Sequence, residues 1–501
     1  MSTGNTPSET GGVVAIPKTE EMICIVKQAS SPATGHVEYE TISLTEEEAG
    51  GKTLFKLCSM NIAEYALPRS LLNEFLVDSG DGVNKLLAPP HLQTGPSRRV
   101  HVLVSTMSGT ALANQFYEDV LEPFLKMFGL CAADSESSEG EKEAGTYRLV
   151  VTQSAKTVSE VARELAAVDS SGSDLAHTII LLSGDGGVVD MLNSTAAGVD
   201  EDQDPSTIRQ GKAPPVVAIL PLGTGNALFN SLHKTAPAAS ALVQSLRTLL
   251  RGRPAPLPSF KVEFPEGSRS ITYCEKSGST SELLEDSRSV SHLYGVVVAS
   301  YGFHSQLVWE SDTPAYRKHG AARFQMVAQE LLKESHAYQA KVQVVRSATT
   351  PSSTSTDRFQ QPESTVEELD GGGAHTYVLA TLVSNLEKTF CISPASSPLD
   401  GQLRLVHFGP VDGAKTMEIM MGAYGGGKHI DMRWQGDGGQ ENKVGHEAID
   451  EVRITTMERD ARWRKFCIDG TIVDVPEGGC VVVRREAKTR LRVLVQADVI
   501  S

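Results

Sequence analysis

The chain has 501 residues, 40% of them hydrophobic, and a formal net charge of −16. This length predicts two to four domains, and the charge argues against a nucleic-acid partner, which binds through clustered Lys and Arg. The seven cysteines are scattered and show no C-x-x-C spacing, so we expect free thiols in a cytoplasmic, reducing compartment. No apolar run approaches the ~20 residues that a membrane-spanning helix needs.

Residues 1–97 are predicted to form an N-terminal extension, a small β-rich module. Ile42–Leu44 and Leu54–Leu57 have the composition of strands, and Arg69–Leu76 that of a helix. Residues 1–12 are a polar tail without an apolar signal core.

Residues 98–252 alternate short apolar runs with helical patterns. The runs do not alternate polar and apolar residues, which is typical of parallel strands buried on both faces. We predict an α/β domain with a doubly wound sheet. Its strands are Val100–Val104, Thr178–Leu182 and Val216–Leu220, and its helices Asn114–Phe128, Ser159–Ala167 and Ala227–His233.

Residues 253–501 are β-rich, and several segments alternate with a period of two, which favours an antiparallel β-sandwich or barrel. One helix is expected at Ala322–Ser335. Polar, low-complexity stretches at 134–145, 265–291 and 346–373 are predicted to be loops or insertions, because they lack apolar residues. The predicted strands are Leu293–Ser300, Tyr377–Val383, Leu403–Phe408, Lys465–Val475, Cys480–Arg485 and Leu491–Gln496.

The first candidate loop follows the strand Thr178–Leu182 and reads Ser183-Gly184-Asp185-Gly186-Gly187. Glycines let a backbone approach a bulky anion, and the following helix start supplies N–H donors. A carboxylate such as Asp185 beside phosphates needs Mg²⁺ or a substrate hydroxyl as its partner. Helix capping explains an Asp at this place equally well.

The second candidate loop, Gly223-Thr224-Gly225-Asn226, repeats the order of strand, Gly-rich turn and helix. Thr224 and Asn226 can hydrogen-bond a phosphate or an adenine edge. One such turn is usually structural, but two in one sheet favour nucleotide binding.

A third unit follows Val100–Val104 and carries Ser105, Thr106, Ser108 and Gly109. This loop could cradle phosphates, although an ordinary capped helix start explains it as well.

These phrases together resemble the diacylglycerol kinase catalytic-domain superfamily, and within it the sphingosine kinases. SGDGGVVDMLN is similar to the signature SGDG-x-x-x-E-V-x-N, and LPLGTGNALFNSL to the block P-x-G-[ST]-G-N-[DA]-L-A. Three further phrases follow in the family's order: YGFHSQLVWESDTPAYRKHGAARF from Tyr301, LDGQLRL from Leu399 and FCIDGT from Phe466. The resemblance covers about residues 98–485 and leaves the first 95 or so outside.

The resemblance implies an ATP- and Mg²⁺-dependent lipid kinase with its active site between an ATP-binding domain and a β-sandwich that holds the lipid. Asp185 would activate the lipid hydroxyl. The three loops, Arg317 and Arg323 would bind ATP, and Asp469 and Gly470 would lie near the nucleotide, with Asp469 a candidate metal ligand. The enzyme would be peripherally associated with a membrane, and a homodimer is conceivable.

Some positions depart from the family pattern. The first loop begins Ser105-Thr106 instead of Asn-Pro, and Thr471 replaces a late Glu. Val308 stands where sphingosine kinases carry an Asp facing the amino-alcohol, so Glu310 or Asp312 is the candidate substitute.

A sphingoid long-chain base is the first expected substrate. Diacylglycerol and ceramide remain alternatives, as does a catalytically weak relative acting as an interaction module. A dinucleotide oxidoreductase is disfavoured because neither Gly loop completes G-x-G-x-x-G.

Overall fold

The computed structural model describes residues 16–28, 37–77, 86–106, 109, 111–133, 144–170, 175–196, 213–233, 238–275, 283–320, 322–347, 364–369, 372–436 and 439–500. Four sequence predictions fall outside these ranges wholly or in large part: the tail 1–12, Ser108, the loop at 134–145 and the segment at 346–373. Among the described residues, no helix combines the length and the hydropathy that crossing a membrane requires.

The N-terminal part forms a mixed sheet in the order β3-β2-β1-β4, in which β1 pairs antiparallel with β2 and parallel with β4. The ring of Phe55 in this sheet meets Phe116 edge-on at 5.2 Å between centroids, so the sheet packs against the α/β part of the chain. Its elements are β1 (Met22–Lys27), β2 (Glu38–Ala49), β3 (Lys52–Ala63), α1 (Arg69–Phe75) and β4 (Leu76–Val77).

The central sheet has seven strands within the described ranges, in the order β10-β28-β9-β8-β5-β7-β6. All neighbours pair in parallel except β10 and β28, which pair antiparallel. Its strands are β5 (Arg98–Val104), β6 (Cys131–Ala132), β7 (Thr146–Val151), β8 (Ala176–Ser183), β9 (Val216–Pro221), β10 (Arg253–Pro256) and β28 (Arg492–Val495). The accompanying helices are α2 (Ala113–Phe116), a π turn (Tyr117–Leu121), α3 (Glu122–Met127), α4 (Thr157–Ser170), α5 (Asp185–Ala196), α6 (Ala227–Leu232) and α7 (Ala241–Arg251).

Successive residues of the central strands enter two different hydrophobic cores. Leu181 packs in the core that contains α4 and α5, whereas Ile180 and Leu182 pack in the core that contains α3 and α7. Both faces of the sheet are therefore covered, and this explains why the strands read as unbroken apolar runs.

The end of the chain returns to the central sheet, which differs from the predicted division at residue 253. β28 pairs with β9 and carries β10 on its other edge. The apolar pattern of Leu491–Gln496 identified a strand but held no information about its partner, because strand pairing is set by tertiary contacts.

The remaining strands form two larger sheets and a hairpin. In the described chain the first sheet has the order β14-β11-β27-β24-β16-β17, with β18 attached to β16, and the second has the order β13-β12-β26-β25-β15-β19-β20-β23. Their pairs are antiparallel, and β21 and β22 form the separate hairpin.

The strands of this region are β11 (Phe260–Glu263), β12 (Arg269–Glu275), β13 (Leu283–Ser289), β14 (His292–Gly295), β15 (Val298–Gly302), β16 (Tyr338–Ser347), β17 (Ser364–Glu368), β18 (Ala374–His375), β19 (Tyr377–Thr381), β20 (Arg404–Phe408), β21 (Arg433–Gln435), β22 (Glu441–Lys443), β23 (Gly445–Ala448), β24 (Glu451–Thr456), β25 (Lys465–Ile468), β26 (Thr471–Asp474) and β27 (Cys480–Arg485). The helices are α8 (Phe303–Ser311), α9 (Pro314–Arg317), α10 (Ala322–Glu334) and α11 (Gly413–Tyr424), with short 3-10 turns at Glu64–Ala66, Lys428–Asp431, Ala461–Trp463 and Ala497–Val499.

The prediction of loops at 265–291 and 346–373 was wrong where the structure describes strands, namely β12, β13 and β17. Ile271 on β12 is buried and joins Trp309 in a small apolar cluster. Arg269, Thr272 and Arg288 on these strands are exposed and polar, so this part of the sequence resembles a low-complexity stretch. Helices α8 and α11 were also missed.

Candidate active site

Three of the predicted loops meet at the carboxyl ends of β5, β8 and β9. A Cβ added to Gly223 would lie 2.3 Å from the Cα of Gly184, and one added to Gly109 would lie 2.5 Å from the carbonyl oxygen of Leu222. These separations are too short for any side chain, so the loops touch backbone to backbone. Ligands of open α/β sheets bind at this edge of the sheet.

Asp185 links the first loop to the second. Its carboxylate accepts hydrogen bonds from the backbone N–H groups of Ala227 (2.7 Å) and Leu228 (3.0 Å), at the start of α6. Burial raises the pKa of Asp185, although these N–H donors act in the opposite direction. The carboxylate does cap a helix, but α6 of the neighbouring unit rather than its own helix α5.

Asn226 shapes the second loop from within. Its backbone is left-handed with φ of 50°, its Oδ1 accepts from the N–H of Gly223 (3.0 Å), and its Nδ2 donates to the carbonyl of Gly223 (2.9 Å). Thr224 is exposed at the tip, and Gly225 lies against the carbonyl oxygen of Leu386. Thr224 therefore faces the solvent, while Asn226 maintains the turn.

The serine and threonine residues of the other loops make mostly structural contacts. Thr106 Oγ1 donates to the carbonyl of Thr152 (3.0 Å), and the N–H of Ser105 donates to the carbonyl of Leu182 (3.0 Å). Ser183 is buried, and its carbonyl accepts from the N–H of Leu222 (3.2 Å). Ser108 lies outside the described residues.

The first turn of α5 contains two more glycines of the first loop. Gly187 is buried, and its N–H donates to the carbonyl of Gly184 (3.2 Å). Gly186 beside it is exposed. The exposed Gly is the one that a ligand could approach.

A second carboxylate, Asp469, faces the site from the other half of the chain. It lies in the tight turn between β25 and β26 with φ of 46°, and Gly470 follows it. Its oxygens accept from the N–H groups of Val296 (2.6 Å), Val297 (3.1 Å) and Val298 (2.5 Å). Burial, together with the negative charge of Asp185, raises the pKa of Asp469 to about 7. Each carboxylate therefore lies within the electrostatic reach of the other.

This pair fits the Mg²⁺ that the resemblance implies. No group of three or more His, Cys, Asp and Glu that could hold a metal occurs in the described part of the chain. Mg²⁺, however, is usually bound by one or two carboxylates together with substrate phosphates. Asp469 would supply an oxygen ligand of that kind, and a bound cation would offset the negative charge of Asp185 that acts on it.

The predicted arginines and substrate carboxylates form a cluster of their own. Arg317 makes a two-pronged ion pair with Asp312, at 3.0 Å from Nε and 2.6 Å from an Nη, and Arg323 approaches the same carboxylate at 3.9 Å. Glu310 accepts from Arg462 at 3.0 Å and from Gln306 at 2.7 Å. The described contacts therefore join Arg317 and Arg323 to Asp312, and Glu310 to Arg462 and Gln306.

Two residues that support the site were not singled out from the sequence. Asn193 on α5 bonds to the backbone of Tyr294, and Asn230 on α6 donates to the carbonyl of Gly225 (2.9 Å). Asn193 ends the phrase SGDGGVVDMLN, so its place in the motif was the available signal. Asn230 falls one helical turn after Asn226 and carries no such signal.

Residues 99–260 match the family model described as the diacylglycerol kinase catalytic domain. Over this segment, about a third of its length, the chain is similar to that catalytic domain. The matched segment holds all three Gly loops and Asp185, whereas Arg317, Arg323 and Asp469 lie beyond it. A kinase of this family uses ATP, and its catalytic domain indicates a lipid kinase.

Two solved structures from Bacillus anthracis str. Sterne are similar to the chain. One, described as a diacylglycerol kinase, has 12% identity and a TM-score of 0.43. The other, provisionally described as a diacylglycerol kinase, has 13% identity and a TM-score of 0.45. Each comparison covers 81% of this chain and 100% of the other. No curated protein sequence gave a match to the chain.

Proposed function

We propose that the protein is an ATP-dependent lipid kinase that transfers the γ-phosphoryl group of ATP to a lipid hydroxyl. The observation that carries this proposal is the fixed position of Asp185, whose carboxylate is held by two N–H groups of α6 where the three Gly loops touch. Phosphoryl transfer depends mainly on positioning and charge neutralisation, and this arrangement supplies a positioned carboxylate beside backbone that can approach phosphate.

In the proposed reaction, the oxygen of the lipid hydroxyl forms a bond to the γ-phosphorus of ATP while the bond between that phosphorus and ADP breaks. Asp185 accepts the proton that the hydroxyl loses. A base must be ionised yet basic enough to take a proton, and burial raises the pKa of Asp185 in that direction. The two N–H bonds keep the carboxylate oriented without a second side chain.

The proposed nucleotide site consists of the Gly loops, with Thr224 as a hydroxyl donor and Asp469 as the opposing carboxylate. Mg²⁺, when bound, would neutralise phosphate charge, and Asp469 is the residue that would hold it. Arg317 and Arg323 would reach ATP after leaving Asp312. The Arg317–Asp312 pair is more than a third exposed on each side, and such pairs contribute only about 0–1 kcal/mol. Arg323 approaches Asp312 only at 3.9 Å, so phosphate can compete for both arginines.

The substrate head group is the finer part of the proposal. Glu310 and Asp312, the candidates to face an ammonium group, already pair with Arg462 and Arg317. A lipid amine would have to displace a guanidinium from either one. This favours a neutral lipid alcohol such as diacylglycerol or ceramide, while the long-chain base stays a prediction to be tested beside it.

We also infer that the sheets bind different substrates. The central sheet with helices on both faces would be the doubly wound ATP-binding domain, and the two antiparallel sheets would form the β-sandwich that holds the lipid. The enzyme would act from the cytoplasm at a membrane surface, and the homodimer remains a prediction.

The test is a kinase assay with radiolabelled ATP, Mg²⁺ and detergent micelles of diacylglycerol, ceramide or sphingoid bases. Asp185→Asn is the blank, and Asp119→Asn, at an exposed position, is the matched control. We expect label in a neutral lipid, abolished in Asp185→Asn and retained in the control. Label confined to sphingoid bases would uphold the kinase and overturn the head-group argument. Bound ATP with no labelled lipid would instead indicate the non-catalytic relative.

A further inference from the structure

Helix α11 exposes a row of large apolar side chains. Met417, Met421 and Tyr424 are 40%, 57% and 45% exposed, and their spacing of four and three residues places them on one side of the helix. Its opposite side is buried through Thr416, Ile419 and Ala423. Large apolar side chains exposed together on one side of a helix make that side a candidate interaction site.

The row continues toward the candidate active site. The ring of Tyr424 meets Phe390 edge-on at 4.7 Å between centroids. Phe390 belongs to the loop 385–391, in which Asn385 exchanges two hydrogen bonds with Ser231 of α6. The carbonyl of Leu386 lies against Gly225. We call Met417, Met421, Tyr424 and Phe390 the α11 face, and this loop connects it to the second Gly loop.

The charges around the α11 face differ from those of the whole chain. The charged side chains of α11 and the adjoining segments are basic at Lys388, Lys415, Lys428 and Arg433 and acidic at Glu387, Asp412, Glu418 and Asp431. Four positive and four negative groups leave this surface neutral, whereas the chain carries −16. An anionic lipid surface would therefore repel this surface less than the net charge of the chain suggests.

We propose that the α11 face inserts into the headgroup region of a lipid bilayer and so presents the Gly loops to a substrate within the membrane. This rests on the proposed lipid kinase function. Tyr suits such a boundary because its ring is apolar and its hydroxyl polar, and Met adapts to an irregular apolar surface. The near-neutral charge and the link to Gly225 favour a bilayer over other occupants.

The binding test is flotation of the full chain with phosphatidylcholine vesicles, with and without phosphatidylserine. The variant Met417→Ser/Met421→Ser is compared with Met60→Ser/Met457→Ser, whose methionines are similarly exposed at 37% and 56%. We expect the α11 variant to lose vesicle binding by about ten-fold or more, and the control to bind like the natural chain. Equal binding by both variants would overturn the proposal.

Sedimentation of the same proteins without vesicles measures their mass, and so tests whether a second copy of the chain covers the α11 face instead. A fall in mass from dimer to monomer in the α11 variant, with vesicle binding unchanged, would assign the face to self-association and overturn bilayer insertion. An unchanged mass with lost vesicle binding supports it.

Activity assays separate this inference from the proposed function. The α11 variant should phosphorylate a short-chain, water-soluble lipid alcohol normally but lose rate on the same head group in vesicles. Equal rates in both formats would contradict docking. If neither protein phosphorylates any lipid while the α11 variant still fails to bind vesicles, the docking surface stands and the kinase proposal fails.

Discussion

The side-chain amide of Asn193 pairs with the main chain of Tyr294 in both directions. Its Nδ2 donates to the Tyr294 carbonyl, its Oδ1 accepts from the Tyr294 N–H, and both distances are 2.9 Å. Asn193 lies on α5, which begins at Asp185, and Tyr294 lies on β14, just before the N–H groups that bind Asp469. This pair therefore fixes the two carboxylates of the candidate site relative to each other.

Replacing Asn193 with Asp should destabilise the fold. The new carboxylate would face the Tyr294 carbonyl without a proton to donate, and an unmatched buried polar group costs about 1–3 kcal/mol. Urea unfolding measures the change, with Asn61→Asp on the exposed strand β3 as the control. Equal unfolding midpoints for the two variants would show that the pair contributes little.

Replacing Gly223 or Gly186 of the loops with Ala should have very different effects on ATP binding. A Cβ at Gly223 would clash with the Gly184 backbone, whereas one at Gly186 meets nothing within 4 Å. Gly223→Ala should force the loops apart and weaken ATP binding by about ten-fold or more, the order expected when a positioned site is displaced.

Calorimetric titration with ATP and thermal unfolding of both variants distinguish the causes. Gly186→Ala should keep the stability of the natural chain, so any loss of its ATP affinity would report direct contact with the nucleotide. Normal ATP affinity in Gly223→Ala would remove the loop junction from the nucleotide site.

Stability should fall in mild acid, and His375 should account for part of the fall. Burial lowers the pKa of His375 to about 4 from its ordinary 6.5, so the unfolded chain takes up the proton first. The contribution of neutral His375 to the free energy of unfolding is complete above pH 6.5 and is lost as the pH falls toward 4. Between pH 7 and pH 5 this amounts to roughly 2 kcal/mol.

His375→Gln should flatten the dependence of unfolding free energy on pH over this window, whatever its effect at pH 7. His319→Gln, at an exposed position, should leave the dependence as it is. Urea unfolding at pH 5, 6 and 7 gives the slope of unfolding free energy against pH for the natural chain and for each of the two variants. A slope in His375→Gln as steep as in the natural chain would place the acid sensitivity elsewhere.

The parallel strands and Gly loops could be predicted because their signals are local. β8 and β9 are buried on both faces, so they read as apolar runs, and the turns that follow them need glycine where Gly184 and Gly223 touch. The same reasoning placed Asp185 at the start of a helix. It could not show that the Asp185 carboxylate binds α6, because that contact joins residues 42 and 43 positions apart.

The other contacts of the candidate site could not be predicted, because they join residues that are distant in sequence. Arg317 was expected at the ATP phosphates, and its described ion pair is with Asp312, which was expected at the substrate. The resemblance singled out Asp469, but no local pattern indicates its contact with three N–H groups, which requires β25 to lie beside the bend before β15. Local pattern predicts which residues are polar and available, whereas the tertiary fold decides with which group each one pairs.

Two segments predicted as insertions should respond oppositely to deletion. Ser347 faces Ser364 across β16 and β17, so residues 348–363 can be replaced by an Asn-Gly turn that joins adjacent strands. The carbonyl of Ser268 accepts from the N–H of Val290, so residues 269–289 can be replaced by a short turn as well. The first deletion leaves the described strands in place, whereas the second removes Ile271 from its cluster with Trp309.

We therefore expect the first deletion to change the thermal midpoint by no more than about 2 °C, because shortening a connection alters closure entropy little. The second should lower the midpoint by many degrees, since losing a buried Ile alone costs about 2–5 kcal/mol. Scanning calorimetry on both variants makes the comparison. A large drop in the first would show that residues 348–363 contribute to the folded core. An unchanged midpoint in the second would show that the β12–β13 hairpin adds little to stability.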